Sequence, residues 1–209
     1  MKFVEQQCLR LAENNFQSVF KTFRKHYKLV PLEVFGVDPY KTLVSTLLSS
    51  RTKDEVTLEA SKRLFKIVPN LKSLGQLDEL EIRNLIYPVG FYKTKAKHLY
   101  KITRLHLVIV PNTREALMKL PGVGRKTANL VLNRAFGTPA IAVDTHVHKI
   151  SNMLGWVKTK NPEATEKELI KILPKIYWPE VNRLFVSIGR QFTSMKKLVE
   201  FLKKEKLIN

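Results

Sequence analysis

The chain has 209 residues with 44% apolar content, which is enough to bury one large hydrophobic core or two small ones. Lysine and arginine total 37 against 18 acidic residues, and this net charge of +19 predicts an anionic partner, nucleic acid first, with a solvated surface adapted to an unusual environment as the alternative. The single cysteine, Cys8, excludes an intrachain disulfide framework and a cysteine-rich metal cluster.

Helical periodicity dominates the first part of the chain. Two apolar stripes recur at helical spacing, the first of Phe3, Cys8, Leu9, Leu11 and Ala12, the second of Phe16, Val19, Phe20 and Phe23. After the turn-rich stretch PLEVFGVDPY, the segment YKTLVSTLLSS predicts a buried helix that ends near Arg51. The next segment, TKDEVTLEASKRLFKIV, predicts a helix capped by Thr52 or Asp54.

The middle of the chain continues with helical segments. LDELEIRNLIYPVG predicts a short helix ended by Pro88 and Gly90. KTKAKHLYKITRLHLVIV predicts a longer helix with a basic face formed by Lys93, Lys95 and Lys97.

Two further helices flank a glycine turn. NTREALMKLPG begins with the capping-box spacing from Asn112 to Glu115 and stops at Pro121. RKTANLVLNRAFG predicts a helix closed by Gly137. Three more helical stretches follow, the last from about Met195 to Lys206, and PAIAV is the only strand-like run. The sequence therefore predicts an all-α chain without a Ser/Gly-rich linker.

The stretch LMKLPGVGRKTANLV predicts a helix, a tight turn and a second helix. Gly122 and Gly124 carry no side chains, so another backbone can approach the turn. The N–H groups of the turn and of the next helix form an anion site suited to phosphate. This pattern is typical of a helix-hairpin-helix that holds the DNA backbone without reading sequence. An ordinary αα-hairpin with a glycine turn is the alternative.

Lys126 lies in the first turn of the second helix, where the helix dipole opposes its charge and fold stability gains nothing from it. An amine that has lost its proton can attack an electrophilic sugar carbon and form a Schiff base. A helix N-terminus, neighbouring cations and a partly dry pocket all favour loss of that proton. Lys126 is therefore a candidate nucleophile, and a further phosphate contact is the alternative.

Asp144 follows Lys126 by eighteen residues in the sequence, after a helix and a short return. That spacing allows its carboxylate to face the amine across a pocket. There it would stabilise an oxocarbenium-like sugar or help to deprotonate the amine. Asp144 also stands where it can cap the helix THVHKISNML, and the two roles are compatible.

These motifs resemble those of the endonuclease III branch of the helix-hairpin-helix DNA glycosylases. The resemblance rests on LPGVGRKTAN, AFGTPAIAVDTHV, LLSSRTKD and VGFYKTKA, and it spans roughly residues 40–155. It implies two helical lobes with a DNA-binding cleft between them. One is a six-helix barrel, residues 27–137, with the helix-hairpin-helix at about 113–136. The other combines residues 1–26 with 138–209.

The resemblance also implies roles for individual residues. Lys126 becomes the Schiff-base nucleophile and Asp144 the catalytic carboxylate. Arg51 falls where relatives commonly carry a glutamine that fills the gap left by an extruded base, and Phe91 falls where a leucine often wedges into the opposite strand. A surface arginine and a core aromatic are the alternatives for these two positions.

The remaining predicted DNA contacts lie on the basic helix, on the hairpin and near the second catalytic motif; they are Lys95, Gly122, Val123, Gly124, Arg125, Thr127 and His146. The resemblance makes the turn itself a phosphate-binding segment, where backbone carbonyls could also hold a monovalent cation. For His146, an interior histidine with satisfied hydrogen bonds is the alternative to a role near the site.

The C-terminal stretch departs from the family pattern. Many relatives carry four cysteines there that hold an iron–sulfur cluster, whereas IGRQFTSMKKLVEFLKKEKLIN has none, so thiolate ligation is impossible. The stretch predicts an amphipathic helix with its apolar side on the N-terminal helix and its lysines toward DNA or solvent; the apolar residues are Leu198, Val199, Phe201, Leu202 and Leu207. We expect no iron–sulfur cofactor.

The sequence as a whole predicts a bifunctional DNA glycosylase and abasic-site lyase that removes oxidised pyrimidines. Its partner would be double-stranded DNA with damaged bases or abasic sites, bound by a monomer. The alternatives are a glycosylase for oxidised guanine, a monofunctional mismatch thymine or uracil glycosylase, and a non-catalytic DNA-binding module. No apolar run approaches the ~18 residues of a membrane span and no secretory segment is evident, so we expect a cytoplasmic protein, associated with the nucleoid of a prokaryotic cell.

Overall fold

The structure, a computed structural model, describes residues 15–209. That part of the chain contains helices and no strand, which confirms the all-α prediction; the PAIAV run is neither helix nor strand. None of its helices is both long enough and apolar enough to cross a membrane. The first predicted stripe, Phe3 to Ala12, lies outside the described residues.

The helices follow one another with short connections: α1 (15–25), α2 (Pro39–Ser49), α3 (Asp54–Ile67), α4 (Leu71–Leu74), α5 (Glu79–Ile86), α6 (Tyr92–Thr103), α7 (Arg114–Met118), α8 (Arg125–Phe136), α9 (Thr145–Met153), α10 (Pro162–Ile172), α11 (Trp178–Arg190) and α12 (Met195–Lys204). Short 3₁₀ helices cover Pro31–Phe35 and Lys175–Tyr177. Contacts between Cα atoms divide the described chain into two compact units. One is Pro31–Ala142, and the other joins the described residues up to Val30 to Val143–Asn209. The predicted domain extents, 27–137 and 1–26 with 138–209, stay a prediction.

Helix α2 is the central helix of the unit Pro31–Ala142. Asp38 caps it by accepting a hydrogen bond from the Lys41 N–H, and Pro39 occupies its first position. The helix is buried along most of its length and packs against α3 and α8. Because its apolar and small polar side chains face neighbours on every side, α2 fixes the position of the turn that follows it at Arg51.

Two predicted helix caps are wrong, by one residue each. The N-cap residue of α3 is Lys53, which makes no side-chain capping bond, and Thr52 instead accepts a hydrogen bond from the Gly90 N–H at 3.1 Å. The N-cap of α7 is Thr113, whose hydroxyl accepts from the Ala116 N–H, so Asn112 does not cap this helix. At α7 another capping side chain stands beside the predicted one, and at α3 a distant segment takes the Thr52 hydroxyl; local spacing reports neither.

The predicted helix over KTKAKHLYKITRLHLVIV is too long at its C-terminal end. α6 stops at Thr103, and His106 adopts a left-handed backbone with φ of 51°. In the run that follows, Val108 and Ile109 are exposed, at 92% and 75% of their full accessibility, whereas Val110 is buried. Val110 precedes Pro111, which disfavours helical backbone for that residue. The apolar run therefore belongs to a loop.

The second unit is built around aromatic side chains of α1. Phe16, Val19, Phe20 and Phe23 are all buried, which confirms the second predicted stripe. Phe20 stacks on Tyr177 with ring centroids 4.3 Å apart, and Phe23 meets Phe185 of α11 edge-on at 5.1 Å. Aromatic pairs of this geometry add stability beyond that of the buried area.

Helix α12 confirms the predicted amphipathic C-terminal helix. Ser194 caps it, its lysines are exposed, and Leu198, Leu202 and Leu207 are buried. Phe201 meets the ring of His26, just after α1, edge-on at 5.2 Å. The apolar side of α12 therefore packs toward the end of α1.

Candidate functional site

The predicted hairpin forms from α7, α8 and the residues between them. Leu117, Leu120 and Val123 are buried and anchor the turn in the core of its unit. The Val123 N–H donates to the Leu120 carbonyl at 3.0 Å, which closes a tight turn. The turn is thus held from below by apolar packing, while its outer face carries the glycines.

Glycine stands at the two positions of the turn for different physical reasons. Gly122 has φ of +79°, and a Cβ atom built on it would lie 2.3 Å from Nδ1 of His98, a residue of α6. Gly124 has φ of −93°, and a Cβ atom there would meet nothing within 4 Å. The protein itself requires glycine at position 122, whereas the space at Gly124 is open to whatever approaches the turn.

The N-terminus of α8 borders this open space, since Gly124 immediately precedes the helix. Gly124 is its N-cap residue and supplies no side-chain acceptor, so the first turn of the helix lacks a side-chain cap. Lys126 is exposed in the first turn, between the half-buried Arg125 and Thr127. Unpaired N–H groups at the positive end of a helix bind anions such as phosphate. The structure therefore places an exposed amine beside a potential phosphate site.

We expect Gly122→Ala to impair stability and Gly124→Ala to impair DNA binding. Gly122→Ala combines left-handed strain with a collision against His98, so it should lower the free energy of unfolding by about 2–4 kcal/mol. Gly124→Ala should leave stability within ~0.5 kcal/mol but weaken binding to duplex DNA, because a methyl group would occupy the approach to the α8 N-terminus. Denaturant unfolding and DNA binding at fixed salt measure the two effects.

Gly137 supplies the control for the strain at Gly122. It ends α8 with φ of +63°, and no atom lies within 4 Å of a Cβ atom built on it. Gly137→Ala should cost only the ~1–2 kcal/mol of left-handed strain. If Gly122→Ala and Gly137→Ala are equally destabilising, the packing of His98 on the turn does not matter.

Arg51 and Phe91 lie side by side in the unit Pro31–Ala142. Both have left-handed backbones, with φ of 54° and 58°, although neither is glycine. The Arg51 guanidinium lies 4.4 Å from the centroid of the Phe91 ring, and the ring is 55% exposed. Left-handed backbone costs such residues ~1–2 kcal/mol each, so the surrounding structure must impose it. The core-aromatic alternative for Phe91 is not what the structure shows.

Lys95 differs from the prediction. It is only 7% exposed, and its ammonium donates hydrogen bonds to the Leu48 carbonyl at 2.7 Å, to the Ser50 carbonyl and to the Thr52 hydroxyl at 3.0 Å. Burial lowers the pKa of Lys95 to about 8, so the ammonium form still predominates at pH 7. The three N–H donors of the Lys95 ammonium are directed into the protein, so Lys95 is not placed to contact DNA. The prediction of a basic face from helical spacing took no account of the acceptors at the end of α2.

Asp144 belongs to the other unit, where it caps α9. Its Oδ1 accepts hydrogen bonds from the His146 and Val147 N–H groups, both at 2.9 Å. The capping role predicted as the alternative is therefore real. Since both bonds use Oδ1, capping does not consume Oδ2, and a chemical role for the half-buried carboxylate remains compatible with it.

His146, a residue of α9, is half-buried and packs against α11. A Cβ atom built on Gly189 would be 2.2 Å from its Nδ1, so the imidazole rests directly on that glycine. The ring also borders a cavity of about 270 Å³ that Lys149 and Ser194 help to line. The predicted DNA contact of His146 stays a prediction.

Two residues of the site were missed or misread from the sequence. His98 supports the turn by filling the place of a Gly122 side chain, and nothing in its own sequence context indicates that role. Thr52 was assigned to a helix cap, but its hydroxyl joins Gly90 and Lys95. Only the glycine at position 90, in a segment otherwise rich in large side chains, hinted at a close approach between chain segments.

The all-α fold, the glycine turn and the open helix N-terminus with its exposed lysine define a helix-hairpin-helix protein. Comparison with known proteins agrees. Residues 44–175 match the HhH-GPD superfamily base excision DNA repair proteins, and the chain belongs to that superfamily.

Individual relatives support this membership over most of the chain. Endonuclease III of Thermotoga maritima is 43% identical over 185 residues, which covers 87% of this chain and 84% of that protein. Endonuclease III-like protein 1 of Gallus gallus is 38% identical over 198 residues, or 85% of this chain and 70% of that protein. The structure of a trapped endonuclease III–DNA covalent intermediate aligns with a TM-score of 0.74 and 32% identity, covering 94% of this chain and 89% of that one. The resemblance predicted from the sequence is confirmed.

Proposed function

We propose that this protein is a base-excision DNA glycosylase and abasic-site lyase, with Lys126 as its nucleophile. The observation that carries the proposal is the exposed amine of Lys126 in the first turn of α8, next to the uncapped helix N-terminus. A phosphate bound to those N–H groups would bring the adjoining deoxyribose toward the amine. A helix-hairpin-helix that only held DNA would need a positive charge there at most, and not an amine that can lose its proton.

The chemistry follows from one bond-forming step. The unprotonated Nζ of Lys126 attacks C1′ of the damaged nucleotide; the glycosidic C–N bond breaks, and the base leaves with the electron pair and takes up a proton. Ring opening then gives an iminium joining Nζ to C1′. Loss of a proton from C2′ drives cleavage of the C3′–O bond, the 3′ phosphate departs, and water hydrolyses the imine to restore the amine. The strand is cut 3′ to the lesion.

We assign Asp144 to the charge that develops during these steps. Its Oδ1 is fixed by two backbone N–H groups, so the carboxylate is held in one orientation before substrate binds. A preorganised negative charge stabilises an oxocarbenium-like sugar and can accept a proton from an attacking amine. The similarity of this chain to a trapped endonuclease III–DNA covalent intermediate supports an enzyme–DNA bond of this kind.

We further propose that the substrate is duplex DNA containing oxidised pyrimidines or abasic sites, bound by a monomer. The net charge of +19 favours association with the phosphate backbone. Backbone carbonyls of the hairpin turn are where a monovalent cation would bind. A cubane iron–sulfur cluster requires four thiolates, and the 209 residues contain one cysteine, so the chain does not fit that cofactor and no step depends on it.

A lesion panel tests the proposal. Duplexes that carry an oxidised pyrimidine, an oxidised guanine, a mismatched thymine, uracil or an abasic site are incubated with excess protein, and base release and strand cleavage are scored separately. We expect release and cleavage together on oxidised pyrimidines, cleavage at abasic sites, and covalent trapping by borohydride on both. Undamaged duplex of the same sequence is the control.

Each other result of the panel points to a different function. Base release without cleavage, strongest on mismatched thymine or uracil, would indicate a monofunctional glycosylase in which Asp144 activates water. Preference for oxidised guanine would keep the mechanism and change the substrate. Binding without release or trapping on any duplex would indicate a non-catalytic DNA-binding module.

A further inference from the structure

Two turns of the unit Pro31–Ala142 meet at Arg51 and Phe91. We call residues 50–53, between α2 and α3, the Arg51 turn, and residues 87–91, between α5 and α6, the Phe91 turn. In each turn one exposed residue has a left-handed backbone, and the guanidinium of Arg51 lies over the ring of Phe91, 4.4 Å from its centroid. A stacked guanidinium and aromatic ring at an exposed tip have the shape and chemistry to stack on nucleobases.

The buried ammonium of Lys95 holds the Arg51 turn in place. It binds the carbonyls of Leu48 and Ser50, which α2 leaves without helical partners at its C-terminal end, and it binds the Thr52 hydroxyl. Leu48 and Ser50 precede Arg51 in the sequence and Thr52 follows it, so these acceptors flank Arg51. The left-handed conformation of Arg51 is thus fixed from within the protein by a residue that does not reach the surface.

The Thr52 hydroxyl connects that anchor to the Phe91 turn. It accepts hydrogen bonds from Lys95 and from the Gly90 N–H at 3.1 Å, and it donates to the Ser50 carbonyl. A Cβ atom on Gly90 would lie only 2.5 Å from the Arg51 carbonyl oxygen, so the two backbones are in contact at that point. Lys95, Thr52 and Gly90 therefore form one continuous link between the two exposed side chains.

We propose that Lys95 is a positioning residue for base extrusion. Through Thr52 it holds Arg51 and Phe91 as a preformed stacked pair, which enters the duplex when the damaged base leaves the stack. The inference rests on the proposed function, because it assigns a source of efficiency to the same reaction. A pair that is already ordered loses less conformational freedom when it fills the gap, so extrusion of a paired base should be faster.

The test compares one lesion in two duplexes under single-turnover conditions. In the first duplex the oxidised pyrimidine faces a purine; in the second it faces a base-free sugar, so extrusion breaks no base pair. The measured quantity is the ratio of the base-release rates, paired over unpaired. Lys95→Met should lower this ratio by about tenfold relative to wild type, the effect of leaving two side chains unordered. Lys101→Met, the same change at an exposed position of α6, should leave the ratio within about twofold.

A ratio separates positioning from a general loss of structure. If Lys95→Met slows both duplexes equally, its role is only structural and the proposal is overturned. It is also overturned if the ratio stays at the wild-type value, or if Lys101→Met lowers it as much. Wild-type protein without base release on either duplex would instead refute the proposed function itself, and this inference with it.

Thr52 and Phe91 provide variants that do not depend on the stability of Lys95→Met. Thr52→Val removes only the hydroxyl that Lys95 and Gly90 share and should lower the ratio in the same direction, while Thr52→Ser should restore it to within about twofold of wild type. In an Arg51→Ala/Phe91→Ala background, adding Lys95→Met should change the ratio by less than about twofold, because both side chains that it positions are already gone. Full additivity of these changes would contradict an action through Arg51 and Phe91.

Discussion

Replacing Lys126 by arginine is expected to abolish strand cleavage and borohydride trapping while DNA binding is kept. Arginine preserves the positive charge at the start of α8, where the structure exposes Lys126 beside the open N-terminus. Its guanidinium cannot lose a proton at neutral pH and cannot form an imine with a sugar carbon. The rate of covalent trapping on abasic duplex should fall by at least ~10³-fold, the scale on which losing a nucleophile acts.

Arginine at this position separates the two interpretations of Lys126 more sharply than alanine does. If Lys126 were only a phosphate contact, Lys126→Arg would retain activity and Lys126→Ala would lose binding. If it is the nucleophile, both variants lose trapping, and only Lys126→Ala also shows a weaker salt dependence of DNA binding, by about one counterion. Measuring trapping and the salt slope on both variants decides the question. Normal trapping by either variant would show that another amine attacks the sugar.

The parts of the fold predicted correctly are those that depend on neighbours in sequence. The stripe of Phe16, Val19, Phe20 and Phe23 and the amphipathic helix α12 follow from a period of 3.6 residues, and both were found buried as expected. The hairpin was likewise predictable because its signal is compressed into fifteen residues with two glycines.

The errors arise where a residue is claimed by a distant partner. Lys95 lies in a run of lysines at helical spacing, yet its hydrogen bonds reach Ser50, 45 residues away in the sequence. No periodicity reports that the end of α2 needs a donor from α6. Thr52 similarly satisfies every local criterion for a cap, and the Gly90 N–H, 38 residues away, takes its hydroxyl instead. Tertiary hydrogen bonds override local preference because a buried unpaired group costs more than a missing cap.

For the hairpin glycines, the sequence alone does not show why glycine is present at each position. From the sequence, Gly122 and Gly124 have one shared explanation, room for an approaching backbone. The structure gives the two glycines separate explanations, because only Gly122 has a left-handed backbone and only Gly122 lies against His98. The need for a ligand at Gly124 is therefore a cleaner functional signal than the motif as a whole, since the protein would tolerate a side chain there.

Asp144→Asn is expected to stop base release without unfolding the protein. Asparagine caps helices about as well as aspartate, and its amide oxygen can accept the same hydrogen bonds from the His146 and Val147 N–H groups. The free energy of unfolding should change by no more than ~0.5 kcal/mol. Loss of the charge should slow base release by about 10²–10³-fold, as loss of one preorganised electrostatic contact does elsewhere.

Asp144→Ala and Asp78→Asn separate the capping role of a carboxylate from the role of its charge. Alanine removes both cap and charge, so it should match the activity loss of Asp144→Asn and in addition lower stability by about 1–2 kcal/mol. Asp78 caps α5 by accepting from the Glu81 N–H at 2.8 Å, and Asp78→Asn should leave base release unchanged because that carboxylate only caps. If Asp144→Asn works as well as wild type while Asp144→Ala fails, the carboxylate acts only as a cap. Equal activity loss in both Asp144 variants, with a stability loss in the alanine variant alone, would show that the charge itself takes part in the reaction.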